Sequence, residues 1–117
     1  MLQNWRSASN AEMFPAGFRA LGLGKVVGTP TMGAVIGTGS YSLIDGSTVR
    51  TPGVGVFLAD AKHTNMENYG VQPDMLVDNK PEDSLAGRDR QLEAAVDELM
   101  KQLNGTRRNL TTDGQQK

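Results

Sequence analysis

Ser7-Ala8-Ser9-Asn10-Ala11-Glu12-Met13-Phe14 decides the reading of this chain, because an extended Met1-Leu2-Gln3-Asn4 gives way there to an apolar run at helical spacing. Met13, Phe14, Phe18 and Leu21 predict a helix over 11–21, distorted locally by Pro15 and ended by Gly22. A strand that hands over to a helix exposes a hydroxyl at the junction and aims backbone N–H groups outward, a geometry that suits a nucleophile. Ser9-Asn10-Ala11-Glu12 is also a capping box, in which the serine and the glutamate satisfy each other's end of the helix. On spacing alone the cap is the preferred reading.

Outward from that junction, Lys25-Val26-Val27-Gly28 reads as a short strand, and the Gly/Thr-rich passage Thr29 to Ser40 follows it. Tyr41 to Ile44 and Ser47 to Thr51 flank Asp45-Gly46, which predicts a hairpin closed by a two-residue type I′ turn. Gly53 to Leu58 alternates small and apolar residues like another strand, Ala59 to Gln72 reads as a polar loop, and Asp74 to Val77 as one more short strand. A last helix starts near Asp89, a good N-cap, with Leu92, Ala95, Val96, Leu99 and Leu103 on a face that must dock on something. Asn104 to Lys117 holds one large apolar residue, Leu110, and is expected to be a disordered tail beyond an ordered unit of residues 1–103.

The chain has 117 residues and 38% hydrophobic content, enough for one modest core. Twelve basic against thirteen acidic residues leave a net charge of −1, which argues against nucleic acid or an anionic membrane as partner. Absence of cysteine removes disulfides, thiol catalysis and Cys-ligated zinc, and with His63 as the single histidine no metal site is expected. The 19 uncharged residues Val26 to Ile44 carry too many glycines and hydroxyls for a membrane span, and Met1 to Trp5 shows no signal peptide. A soluble protein is expected.

Other motifs carry less. Gly22-Leu23-Gly24-Lys25-Val26 lacks the upstream glycine and the hydroxyl after lysine of a phosphate loop, and Gly22, Gly24 and Gly28 miss dinucleotide spacing by one residue. His63 reads as a solvated surface histidine, and Glu67 by itself as an exposed loop acid. The sequons at Asn104 and Asn109 lie in the polar tail and are discounted.

Together, Ser7-Ala8-Ser9-Asn10-Ala11-Glu12-Met13-Phe14, Gly22-Leu23-Gly24-Lys25-Val26-Val27-Gly28-Thr29, Thr31-Met32-Gly33-Ala34 and Asn68-Tyr69-Gly70-Val71-Gln72-Pro73-Asp74 closely resemble the carboxy-terminal half of the tricorn-like serine peptidases. These belong to the same broad family as the C-terminal processing peptidases. The likeness runs from about Asn4 to Leu103, with the motifs in order. It implies an α/β fold resembling the later strands and helices of the ClpP/crotonase-like superfold. It also implies peptide-bond hydrolysis through an acyl-enzyme on Ser9, with the Asn10 N–H as one oxyanion donor. Glu67, before the Tyr-Gly-Val-x-Pro-Asp signature, acquires a place in the charge relay or as a contact for the substrate amino end. Gly33 and Ala34 are assigned to close approach of the substrate backbone.

Thr31-Met32-Gly33-Ala34-Val35 lacks the base lysine that processing peptidases place after the Thr-x-Gly turn, so the His-dependent tricorn branch fits better. In that branch the histidine, its partner serine and the second oxyanion donor lie upstream of the nucleophile, and His63 does not occupy that position. The resemblance thus makes the chain a carboxy-terminal portion of a peptidase, inactive alone. It implies no cofactor; the partners are a peptide or unfolded-protein substrate and the upstream part of the same peptidase, with a homo-oligomer left open. The compartment stays open between cytoplasm and bacterial periplasm. The alternative is a noncatalytic peptide-binding or assembly module that uses a sheet edge; acyl-CoA chemistry by analogy with crotonases rests on fold alone.

Overall fold

The computed structural model describes the backbone of residues 1–113 and the side chains of residues 1–105. β1 (Leu2–Gln3), α1 (Asn10–Ala20) and β2 (Val27–Gly28) form a β-α-β unit, since β1 and β2 pair in parallel, with Leu2 opposite Val27 and Gln3 opposite Gly28. β5 (Met75–Leu76) pairs in parallel with the other side of β2, which gives the strand order β1-β2-β5. Val26 and Val27 are fully buried, as the central strand of a parallel sheet requires. Asp74 ties β5 to this centre: its carboxylate accepts from the Val26 N–H at 2.8 Å and pairs with Arg19 of α1 at 3.3 Å. Gly28 has φ +136°, and a Cβ there would lie 1.9 Å from the Gln3 carbonyl oxygen.

α1 runs through Pro15 without interruption and ends in a Schellman arrangement, in which Gly22 takes φ 64° and Leu23 N–H donates to the Phe18 carbonyl. The apolar residues whose spacing predicts this helix do not form its buried face. Glu12 and Pro15 are buried, whereas Met13, Phe14 and Leu21 are 44, 66 and 74% exposed. Met13, Phe14, Phe18, Leu21 and Leu23 line an open apolar groove of about 400 Å³ that begins at Asn10.

β3 (Gly37–Ser42) and β4 (Thr48–Val54) form the predicted hairpin, with Ser42 opposite Thr48, and both strands are almost wholly exposed. The turn differs from the type I′ expectation. Gly46 N–H donates to the Leu43 carbonyl and only Gly46, at φ 82°, is left-handed, so the loop is Ile44-Asp45-Gly46, a type I turn followed by a left-handed glycine. Asp45 fits there because its Oδ1 accepts from the N–H and hydroxyl of Ser47.

Gly53 to Leu58 is not a separate strand: β4 absorbs its start, and Phe57 makes a single antiparallel bridge to Asn65. The polar loop that follows contains the core's largest fully buried side chain, Met66, which packs with Val35 and Val71 against Ala16, Val56 and Leu58. Polar neighbours had hidden it.

A short α2 (Pro81–Leu85), not foreseen, opens on a proline at its first position and leads to α3 (Arg90–Asp113). Asp89 caps α3 as expected, accepting from the Leu92 N–H at 3.0 Å. α3 lies against β1 and β2, where Lys25 pairs with Glu98 at 2.7 Å. Its helical backbone continues past Asn104 to Asp113, and the end of the expected tail, 114–117, lies outside the described residues. Among the described residues no helix is long and apolar enough to cross a membrane.

Asp83 joins α2 to α3, accepting from the Lys80 N–H at 3.2 Å and pairing with Arg90 at 2.7 Å. Burial opposes ionisation of its carboxyl, but the Arg90 bond, the Lys80 N–H and the nearby Arg88 outweigh it and hold the pKa below the ordinary 3.8. A depressed folded-state pKa gives stability that is present above the unfolded value and lost as pH falls through the folded one. Amide exchange at Lys80 is therefore expected to quicken as pH drops below 3.8, after correction for intrinsic rates, and Asp83→Asn should weaken that pH dependence.

Candidate active site

A hydrogen-bonded turn delivers the chain from β1 to α1. Ser7 N–H donates to the Asn4 carbonyl at 2.9 Å, Arg6 N–H to Asn4 Oδ1 at 2.9 Å, and Trp5 N–H to Thr29 Oγ1 at 3.1 Å. Ser9 follows as the residue before α1, with φ 54° and ψ −123°. A non-glycine residue in this region costs about 1–3 kcal/mol and persists only where its surroundings impose it. Both backbone polar groups of Ser9 are held: its N–H donates to the Ala34 carbonyl at 2.9 Å, and its carbonyl accepts from Glu12 N–H at 2.8 Å and Met13 N–H at 3.1 Å. Its exposed hydroxyl bonds to nothing among the described residues, and the Asn10 N–H likewise has no acceptor there.

The capping box is therefore not formed. Glu12 is fully buried and turns away from Ser9, toward the segment 31–34. Its Oε2 accepts from the Thr31 hydroxyl and from Gly33 N–H at 2.7 Å, and its Oε1 from Ala34 N–H at 2.8 Å. Thr31 Oγ1 accepts in turn from Val71 N–H at 2.8 Å. Gly70, at φ 65°, makes room for this cluster: a Cβ there would meet Thr31 Oγ1 at 2.7 Å and Glu12 Oε2 at 3.2 Å. Spacing concealed Glu12, since an acid three residues after a serine reads as a cap; the one available hint was Thr31 beside a Gly-Ala pair.

Glu67 reaches the same segment from the other direction. Its Oε2 accepts from Val35 N–H at 2.8 Å and Ile36 N–H at 2.7 Å, while Oε1 has no partner among the described residues. Asn68, left-handed at φ 60°, turns its N–H onto the Gly33 carbonyl at 2.7 Å. Ser9 and Glu67 thus attach to consecutive residues of one segment: Ser9 to the carbonyl of Ala34, Glu67 to the amides of Val35 and Ile36. With Glu67→Ala those two amides lose their acceptor. Their hydrogen exchange is expected to accelerate by about tenfold or more while Val27 stays protected, since an orphaned donor costs about 1–3 kcal/mol.

Gly33 and Ala34 lie beside Ser9, but their backbone is already occupied. Both N–H groups donate to Glu12, the Gly33 carbonyl accepts from Asn68, and the Ala34 carbonyl from Ser9. Gly33, at φ 76°, admits the chain's own backbone, because a Cβ there would lie 3.1 Å from Asn68 C and Tyr69 N. Ala34 keeps an exposed side chain. His63 sits exposed in the Asp60–Thr64 turn at φ 48° and bonds to neither Ser9 nor Glu67. No cluster of potential metal ligands occurs among the described residues.

The family model for Peptidase family S41 matches residues 1–77, which include Ser9, the 31–36 segment and Glu67. The chain belongs to peptidase family S41. It is 39% identical over 103 residues to the tricorn protease of Thermoplasma acidophilum, a match covering 87% of this chain and 10% of the relative. Tricorn protease homolog 1 of Streptomyces coelicolor is 42% identical over 91 residues, 77% of this chain and 8% of the relative. The crystal structure of the tricorn protease superposes with a TM-score of 0.78 at 35% identity, covering 88% of this chain and 10% of that one. This S41 chain therefore spans about a tenth of the length of the curated relatives it matches, and its mixed strand and helix architecture is theirs over that span.

Proposed function

We propose that this S41 chain contributes the nucleophile to a serine peptidase that hydrolyses peptide bonds through an acyl-enzyme on Ser9. The observation that carries this reading is the left-handed turn at Ser9, which leaves the hydroxyl exposed and, among the described residues, unbonded at the start of α1. A serine held this way is available to attack, and the unoccupied Asn10 N–H is an oxyanion donor that requires no reorganisation. Glu67, with Oε2 locked on two amides and Oε1 left over, orients the relay or receives the substrate amino end. Of the two residues assigned to substrate approach, Ala34 is the exposed one. His63 is not the base; a histidine from the upstream part of the peptidase fills that role. The β1-β2-β5 sheet with α1 is read as the later portion of a ClpP/crotonase-like fold.

The test mixes this chain with the upstream part of the Thermoplasma acidophilum tricorn protease and follows peptide cleavage and labelling of Ser9 by a fluorophosphonate. Cleavage is expected in the mixture and not with the chain alone. Cleavage by the chain alone that survives Ser9→Ala would overturn the assignment. Peptide binding without labelling or cleavage in an assembled mixture would favour the sheet-edge binding module.

A further inference from the structure

We propose that Glu12 is a positioning residue whose buried carboxylate holds Ser9 in its left-handed turn; this rests on the reading of Ser9 as nucleophile only for its meaning, not for its geometry. Glu12 sits on the first turn of α1, yet its carboxylate is not spent on the helix end: three donors from Thr31, Gly33 and Ala34 converge on it. Ala34 is bonded through both of its backbone groups to the start of α1 and the residue before it. Its N–H donates to Glu12, and its carbonyl accepts the Ser9 N–H. The Glu12 N–H then donates to the Ser9 carbonyl at 2.8 Å, which closes a ring of bonds around the strained residue. The same two side chains have another arrangement open to them, the ordinary capping box, in which Ser9 would relax and its hydroxyl would be consumed by the helix. Drawing the Glu12 carboxylate and the Ser9 N–H to the 31–34 segment removes that competitor and leaves the hydroxyl free.

Two measurements on the full chain decide it. Glu12→Gln keeps the volume but sets an amide NH₂ against one of the three donors, and Glu12→Ala removes all acceptors. A crystal structure of either variant is expected to show Ser9 at negative φ with its hydroxyl accepting from the N–H of residue 12; Ser9 still near φ 54° in both would overturn the proposal. The second measurement is a double-mutant cycle with Ser9→Gly, since glycine adopts φ 54° without strain. With serine at 9 the strain released as the turn relaxes offsets part of the loss, so with glycine at 9 the fall in the folding equilibrium constant caused by Glu12→Gln is expected to be larger by about fivefold or more. Equal falls, or a smaller fall with glycine at 9, would mean that Glu12 serves the fold and not Ser9, and so would failure to fold in both backgrounds or with serine alone; folding only with serine at 9 would support the proposal. Neither readout uses peptide hydrolysis, so a Ser9 that proves unreactive sinks the functional reading and leaves this one standing.

Discussion

Ser9→Ala is expected to lower turnover of the assembled peptidase by about 10⁴-fold or more while leaving peptide binding and folding unchanged. A triad nucleophile acts together with its base, so removing it forfeits nearly the whole catalytic unit, and what survives is the contribution of binding and the oxyanion donors. The fold should not register the change because the Ser9 hydroxyl makes no bond within the described chain. Ser9→Gly extends the argument. Glycine relieves the left-handed strain at φ 54°, so this variant should be equally inactive yet more stable, with a melting temperature raised by a few degrees for a gain of about 1 kcal/mol. Parallel measurement of turnover and thermal melting checks both halves; a turnover within tenfold of the unaltered enzyme would remove Ser9 from the mechanism.

Gly28→Ala is expected to have the largest effect on folding. A Cβ at this position would lie 1.9 Å from the Gln3 carbonyl oxygen and 3.0 Å from its carbonyl carbon, and these are backbone atoms of the paired strand β1. No side chain can swing aside. The residue is also at φ +136°, a conformation that alanine adopts only under strain. Steric overlap and backbone strain together should cost about 4 kcal/mol or more, the range reached only by a few named mechanisms. A domain of ordinary stability keeps about 5–15 kcal/mol in hand, so the variant should be largely unfolded or lack the β1–β2 pairing at 25 °C. Circular dichroism and amide exchange at Val27 would show it, and a native-like melt would mean that β1 pairs differently. Gly46→Ala is the control: that glycine is also left-handed but meets nothing within 4 Å, so only the modest strain of the turn applies.

Local signals carried the outline of the fold because they act over a few residues. The 3.6-residue spacing from Met13 to Leu21 located α1, the Asp45-Gly46 pair located the hairpin, and Asp89 set the start of α3. Each rests on a short local stretch of chain. The same locality explains the errors. The hairpin's loop length depends on which residues of the two strands pair, and the bond from Leu43 N–H to the Ser47 carbonyl sets three residues between them where two were expected. The buried face of α1 is not legible in its spacing, because the apolar residues that set the period stay exposed while its buried positions are Glu12 and Pro15. Met66 escaped notice in a polar stretch and yet fills the core behind Glu67.

By itself the sequence determined most of the elements in their order, the strand-to-helix handover at Ser9 and, through motifs spread from Ser7 to Asp74, the peptidase family to which the chain belongs. Only the tertiary structure decided what Ser9 and Glu12 do with one another. Their spacing suits a capping box and a nucleophile turn equally well, and the choice between them lies with amides at Gly33 and Ala34, 21 and 22 residues from Glu12. Glu67 is the same case: its neighbours describe a loop acid, and the Val35 and Ile36 N–H groups that hold it are 32 and 31 residues away. A buried carboxylate takes its direction from whichever donors the packed chain brings to it, and no local pattern encodes them.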